Sequence, residues 1–314
     1  VVRDRAEEYA ETWGIPAVYN DIDDLLASEE IDAITNVTPD AAHAETSLKA
    51  IAKGKHVLCE KPLAVNYADA KKMAAAAKRK GVINMVNLSY RNSAAIHKAH
   101  QLVEQGVLGR IMHVEASYLQ SWLAGADWTP KNMRPGRLWR LSTRHGSKGV
   151  LGDLGVHIID FATYPAGDVK QVDCRLKSFP KTRPNRYGEY VVDANDSAVA
   201  LVEFKDGALG TIHTSRWATG HGNSLRLRIH GDRGALVVDL DTSYDTLELF
   251  KGTDRSKTKW KTVKCPKTPN MYRRFIRSIQ TGKNDQPDFA RGAAVQKVLD
   301  ACFESDQIGK PVKV

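Results

Sequence analysis

The chain has 314 residues, 42% of them hydrophobic and 26% charged, with a formal net charge of +9. That length suits two domains of ordinary size, and no apolar run approaches the roughly 20 residues needed to span a bilayer. The positive charge is spread along the chain without a dense Lys/Arg block, which argues against nucleic acid and suits an anionic ligand such as a dinucleotide, or simple solubility, equally. Cys59, Cys174, Cys265 and Cys302 stand far apart with no Cys-x-x-Cys pair, so neither a disulfide framework nor a zinc site is expected. The expected compartment is the reducing cytoplasm.

Residues 1–88 alternate short β-rich runs with helical runs, the signature of βαβ units. Val1 and Val2 read as the end of a strand, 4–13 as a helix stopped by Gly14-Ile15-Pro16, and 17–19 as a short strand. Ile22, Leu25 and Leu26 give the next helix its apolar side, and 31–37 reads as a buried strand. It runs into Thr38-Pro39-Asp40, where Asp40 is placed to cap a helix over 41–52. A strand over 56–59 ends at Glu60-Lys61-Pro62, Asn66 caps a helix reaching Lys80, and 82–87 is again a strand. Such crossovers give a parallel sheet with ligands at the carboxyl ends of its strands. Three of those ends carry polar groups: Thr38-Pro39-Asp40, Glu60-Lys61-Pro62, and Asn87 with Arg91. Loops at one edge of a sheet converge, so these groups are expected to share a crevice. The Gly-x-Gly-x-x-Gly turn and ribose-holding acid that open a dinucleotide fold are missing, and Asp4 falls inside a helix. That opening segment is therefore expected upstream of Val1.

Residues 93–104 read as a helix and 111–119 as a strand. Between Gln120 and Gly146 lies a polar, aromatic segment with Trp122, Trp128, Met133, Arg137, Trp139, Arg140 and His145. Aromatic faces beside hydrogen-bonding groups suit a sugar, yet for Trp122 and Trp128 packing on the protein is the readier account. Then comes the stretch from Gly149 to Asp160. As a helix it sets Asp153 and His157 one above the other on a single face, with Val150, Leu154, Ile158 and Phe161 on a face that can be buried. Gly149, Gly152 and Gly155 each cost roughly 1 kcal/mol against Ala in a helix. That cost is easier to understand if something flat lies close to the backbone. Taken alone, the stretch is equally a proton-handling site beside a bound ring, or a helix start with an acid suited to the dipole and an incidental histidine.

Beyond residue 169 the pattern is β-rich: 172–177, 196–205, 208–217, 224–230, 235–240, 246–250 and 259–264. Turns such as Asp206-Gly207 and 231–234 separate them, as in an antiparallel meander. Leu225, Leu227 and Ile229 face one way, and Arg226, Arg228 and His230 the other. The polar loop 219–223 could reach a substrate, with an ordinary sheet-edge loop the readier account, and 269–280 and 288–304 read as closing helices.

Thr38-Pro39-Asp40-x-x-His43, then Glu60-Lys61-Pro62, then the 149–160 stretch resemble, in order and spacing, the glucose–fructose oxidoreductase/inositol dehydrogenase (Gfo/Idh/MocA) family of NAD(P)-dependent sugar and polyol oxidoreductases. The likeness covers nearly the whole chain. It implies an α/β fold: a truncated Rossmann parallel sheet over 1–88, then an α+β domain with a large, mostly antiparallel open sheet over 89–314. Lys61 matches the lysine that binds the reacting hydroxyl, and Asp153 and His157 match the acid and imidazole facing it. Thr38, Pro39, Asp40, His43, Glu60, Asn87, Trp139 and Arg140 match cofactor-lining positions; Lys61 and Arg91 share their crevice, and Tyr272 is a further expected contact. Asp40 departs from the asparagine that many members carry. Pro62 keeps Lys61 out of helical geometry, and in the family this peptide bond is often cis. Members commonly dimerise or tetramerise through the open sheet face, so a homodimer or homotetramer is expected.

The chemistry these residues suit is the oxidation of a secondary alcohol, in which the hydroxyl loses its proton while hydride leaves carbon. An imidazole titrating near about 6.5 can take that proton. A lysine ammonium beside the same oxygen stabilises the developing alkoxide, and Asp153 can fix a neighbouring hydroxyl. The expected activity is transfer of hydride between a nicotinamide cofactor and a secondary hydroxyl of a sugar or cyclitol. Rival readings on the same fold are an NAD-dependent glycoside hydrolase and a non-catalytic NAD(P)-binding regulator. Arg3 and Arg5 suit a 2′-phosphate or the surface equally; NAD is the expected cofactor, with NADP the alternative, and no metal is expected.

Overall fold

A computed structural model describes residues 3–27, 30–124, 135–181, 184–253 and 259–314. Two helices, α1 (Arg3–Trp13) and α2 (Ile22–Ala27), lead into a three-stranded parallel sheet of β1 (Ala33–Asn36), β2 (His56–Cys59) and β3 (Asn84–Val86), in that order. Its crossovers are α3 (His43–Ala52) and α4 (Tyr67–Lys80). Val57, Leu58 and Cys59 in the middle strand are fully buried, as the apolar run of a strand covered on both faces requires. Asn66 caps α4 as expected, accepting from the Asp69 N–H at 2.8 Å, and Gly81 closes it in the left-handed conformation. Asp40 is a correction: it opens a 3-10 turn and makes no capping bond, so α3 starts only at His43. Residues 17–19 form no strand, and their side chains are exposed or half-buried with no core to line. Val1 and Val2 lie outside the described residues.

After α5 (Ala94–Glu104) come β4 (Ile111–Leu119), α6 (Val156–Ala166), β5 (Val169–Lys177), a small hairpin of β6 (Arg186–Tyr187) and β7 (Tyr190–Val191), and β8 (Ser197–Phe204). Then follow β9 (Leu209–Ser215), β10 (Ser224–Gly231), β11 (Gly234–Asp239), β12 (Thr246–Lys251), β13 (Lys261–Lys264), α7 (Met271–Thr281), α8 (Phe289–Ile308) and β14 (Val312–Lys313). Nine of these strands form one sheet, ordered β13-β12-β11-β10-β4-β9-β8-β5-β14. It is antiparallel throughout except between β4 and β9, which run parallel. The simple meander is thus corrected: β4, from far upstream, inserts between β9 and β10. Leu225, Leu227 and Ile229 are fully buried on the inner face, while Arg226 and Arg228 stand outward on Asp239 and Glu115. Val199, Leu201 and Leu209 are exposed on the outer face. Among the described residues, no helix is long and apolar enough to cross a membrane.

A buried ion cluster fixes α6 against the first sheet. Asp160 accepts from Arg91, Nε at 2.6 Å and Nη2 at 2.8 Å, and from Arg291 Nε at 2.7 Å. Arg291 also bonds the Asp160 carbonyl at 3.0 Å, and the Arg91 guanidinium lies 3.3 Å over the Tyr164 ring. Burial pushes the Asp160 carboxyl up, but the two guanidinium groups outweigh it and hold it down to about 2. One carboxylate thereby ties the loop after β3, α6 and α8. Replacing Asp160 by Asn leaves two cations buried without a counter-charge and is expected to cost about 3–5 kcal/mol of stability. The measurement is the shift in urea midpoint at pH 7; a loss under about 1 kcal/mol would remove the cluster from its structural role.

Candidate active site

The site is assembled from strand-end loops and one irregular helix. At the end of β1 the buried Asn36 side chain accepts from Thr38, the N–H at 3.2 Å and Oγ1 at 2.8 Å, and donates to the His43 carbonyl and Ser47 Oγ. This turns the chain and presents Thr38 and Asp40 at the carboxyl edge of the sheet. His43 is 1% exposed, with Nδ1 2.7 Å from the Pro62 carbonyl oxygen and Nε2 2.8 Å from that of Thr38. At the end of β2 the Lys61–Pro62 bond is cis, as the resemblance implied. Lys61 Nζ donates to Asp153 Oδ1 at 2.8 Å and to the Asp153 carbonyl at 3.2 Å, a contact between residues 92 apart.

Asp153 sits in a π turn, Leu151–Gly155, that precedes α6. A π turn is rare and recurs at functional sites. Asn195 starts this helix, taking the Val150 N–H on its carbonyl at 2.7 Å and the Leu151 N–H on its side chain at 3.0 Å. Gly149 has φ +65°, and a Cβ there would lie 2.4 Å from the Asn195 side chain. A Cβ at Gly155 would meet Leu151, and one at Gly152 would meet Lys148. Clearance for a flat ligand is therefore not what Gly149 and Gly155 provide; they let the protein close on itself.

Both Asp153 oxygens are occupied: Oδ2 accepts from Arg216 Nη2 at 2.7 Å, and Arg140 Nε stands 3.9 Å away. Burial raises the Asp153 carboxyl, but Lys61, Arg216 and Arg140 together hold it well below the usual carboxylate range. His157, in the first turn of α6, is 8% exposed and meets the Tyr90 ring edge-on at 5.0 Å. Burial, and after it the Lys61 ammonium, push its imidazole down to about 3, so the ring is neutral near pH 7. Its Nδ1 is buried without a partner among the described residues.

Thr38, Asp40, His43, Glu60, Lys61, Trp139 and Arg140 line a hollow of about 200 Å³ that Asp153 and Arg216 also border. Glu60 accepts from Asn87, whose amide lies 3.5 Å from the exposed Tyr272 hydroxyl, so these three extend the crevice outward. His157 is not in the lining, and Pro39 is exposed outside it. Arg91 is corrected: it is 1% exposed and bound to Asp160, so it does not reach the crevice. Trp128 and Met133 lie outside the described residues. Trp122 packs on the protein, under the Arg216 guanidinium at 4.8 Å and bonded to Gln120. A larger cleft of about 650 Å³ between α4 and α8 contains neither Lys61, Asp153 nor His157.

Sequence reasoning missed a polar wall. The Tyr90 and Tyr118 hydroxyls lie 2.7 Å apart; Asn223 accepts from Tyr118 at 2.7 Å and donates to Tyr90 at 2.8 Å, and Gln120 donates to Asn223 at 2.8 Å. The loop 219–223 joins this network through Asn223. Tyr90 was findable, since it adjoins Arg91 at a strand end already suspected; Arg216 and Asn223 had no local signal.

The chain matches a family model described as an oxidoreductase family with NAD-binding Rossmann fold over residues 2–88, and another described as the GFO/IDH/MocA C-terminal domain over residues 96–237. It is similar to a levoglucosan dehydrogenase of Pseudarthrobacter phenanthrenivorans, 28% identical over 96% of this chain and 84% of that protein. A solved levoglucosan dehydrogenase in complex with NADH and levoglucosan superposes with a TM-score of 0.86 at 28% identity, covering 99% of this chain and 87% of the other. An oxidoreductase domain protein from Kribbella flavida gives a TM-score of 0.85 at 31% identity, over 99% and 88%.

The neutral histidines carry a pH dependence. Burial pushes His157 down to about 3 and His97 down to about 4, whereas an unfolded imidazole titrates near about 6.5. Between those values the unfolded chain binds protons that the folded chain does not, so stability falls as pH falls below about 6.5. At pH 5 each ring is expected to account for about 2 kcal/mol of loss relative to pH 8. Denaturant midpoints at the two pH values in wild type and His97→Gln test this. An unchanged slope in the variant would show that the ring is not held neutral.

Proposed function

The chain belongs to the Gfo/Idh/MocA oxidoreductase family, and from that premise we propose that it moves a hydride between NAD and a secondary hydroxyl of a sugar or cyclitol. The observation that carries the reading is the 2.8 Å contact of Lys61 with Asp153, which joins a strand-end lysine to the turn that leads into the helix bearing His157.

The residues present fit the nicotinamide end of such a cofactor. The hollow opens at the carboxyl ends of the parallel strands, where ligands of doubly wound folds lie, and Arg140 and Lys148 add positive charge to its rim. Thr38, Asp40, Glu60, Asn87, Trp139, Arg140 and Tyr272 would hold it. When bound, the nicotinamide accepts or returns the hydride. Lys61 places its ammonium at the substrate oxygen and stabilises the charge that develops as the proton leaves. His157, neutral near pH 7, takes the hydroxyl proton at Nε2; its depressed basicity means that it holds that proton briefly and returns it readily in the reverse direction. Asp153 acts mainly by aiming Lys61, since both its oxygens are already engaged. The hydroxyl and amide wall of Tyr90, Tyr118, Gln120 and Asn223 suits a polyol, whose hydroxyls need both donors and acceptors.

On this reading residues 1–88 serve the cofactor and 89–314 the substrate and assembly. The exposed Val199, Leu201 and Leu209 on the outer sheet face support a homo-oligomer through that face. The four free, buried cysteines suit a reducing cytoplasm.

Absorbance at 340 nm, followed with full-length protein, NAD or NADP and a panel of sugars and cyclitols, tests the activity. Lys61→Ala and His157→Ala are each expected to lower kcat at least about 100-fold while the protein stays folded by circular dichroism. Near-normal rates in both variants would refute the assigned mechanism.

A further inference from the structure

We propose that Trp122 is a positioning residue: its indole N–H fixes the hydrogen-bond direction of the polar wall beside His157, and with it what the wall offers a substrate. This role rests on the proposed activity, in which the wall receives the substrate. Trp122 Nε1 donates to Gln120 Oε1 at 2.8 Å. An indole nitrogen only donates, so Gln120 turns its carbonyl to Trp122 and its amide N–H groups to Asn223. Asn223 Oδ1 accepts from Gln120 Nε2 at 2.8 Å and from the Tyr118 hydroxyl at 2.7 Å. That leaves the Asn223 amide nitrogen facing Tyr90, to which it donates at 2.8 Å. Tyr118 has a single hydroxyl proton, so in the 2.7 Å contact of the two hydroxyls Tyr90 is the donor. Burial pushes the Tyr118 phenol well above its ordinary value, so that proton stays in place.

Tyr90, Tyr118 and Asn223 thus close a ring in which each gives one proton and takes one. Such a ring has no direction of its own: hydroxyls and amides both donate and accept, and turning both amides over satisfies it equally. Among the described residues, Trp122 is the one-way group bonded to it. A reversed Gln120 would set its N–H groups against the indole N–H and leave donors unmet. In the observed direction the ring leaves a ligand one lone pair on Tyr90 and one N–H on the exposed Asn223. Run backwards, it spends both Asn223 N–H groups and offers a carbonyl lone pair there instead. Tyr90 meets His157 edge-on at 5.0 Å. A substrate hydroxyl that donates to Tyr90 therefore lies beside the imidazole, and the ligand oxygen at Asn223 is one that accepts.

Neutron diffraction from crystals of full-length protein exchanged into D₂O reads the amide orientations and hydroxyl deuterons with no ligand present. Wild type is expected to show the single direction described. Trp122→Phe, which keeps an aromatic ring under the Arg216 guanidinium, is expected to show both directions. Gln120→Glu turns an acceptor to Asn223 and is expected to run the ring backwards. A reversed ring in wild type, or one unchanged direction in Trp122→Phe, overturns the proposal. None of these readouts involves turnover, so they stand or fail apart from the proposed activity. The kinetic arm uses the panel compound that turns over fastest. Halving the competent population in Trp122→Phe is expected to raise KM about twofold with kcat unchanged, and the reversed ring of Gln120→Glu to raise it at least about tenfold. An unchanged KM in Gln120→Glu overturns the link between ring direction and substrate.

Discussion

The meeting of Lys61 with Asp153 is the constraint around which the molecule is arranged. Its side chains are 20% and 31% exposed, mostly buried but still reached by solvent at the hollow. Its consequence is geometric: a flexible four-carbon stem is held in one direction at the mouth of a hollow. Each neighbour limits one way of losing that direction. Arg216 occupies the second Asp153 oxygen from beneath, Asn195 fixes where the helix begins, and His43 holds the backbone beside the lysine. Because several cations face one carboxylate, the pair keeps a positive excess, which suits an oxygen about to become an alkoxide.

The imidazole obeys a different rule. His157 lies among Tyr90, Tyr118 and buried helix, where a cation is unwelcome, and the nearby ammonium makes it more so. Burial and the neighbouring ammonium thus keep this imidazole neutral, which is how environment prepares a base. The same helix carries Asp160 one turn on, where the burial penalty is outweighed by two guanidinium groups. On one face of α6 charge is excluded, and on the next it is gathered.

What the sequence made legible follows from how local each signal was. The strand ends of the first sheet, the Asn66 cap, and the pairing of Lys61 with the Asp153–His157 stretch rest on residues adjacent in the chain or on motifs in a fixed order. Arg91 was misplaced because a loop residue beside a strand end looks the same whether it turns outward or inward; only tertiary structure puts Tyr90 on the site and Arg91 on Asp160. The glycines were visible but their reason was not, since Asn195, which fills the space at Gly149, lies 46 positions downstream. The parallel pairing of β4 with β9 joins segments nearly a hundred residues apart, beyond any periodicity.

The π turn shows how these pieces act together. Regular helix would place Asp153 and His157 in register by their spacing alone. A wider turn over Leu151–Gly155 moves the acid relative to the helix that follows, and helix-poor glycines at three of the nearby positions lower the cost of the distortion. Such a turn persists only if the surroundings determine it. Here they do: Asn195 holds its start, Lys61 and Arg216 hold the carboxylate in its middle, and the Asp160 cluster holds the helix beyond its end. The distortion that sets the acid is therefore sustained from both halves of the chain.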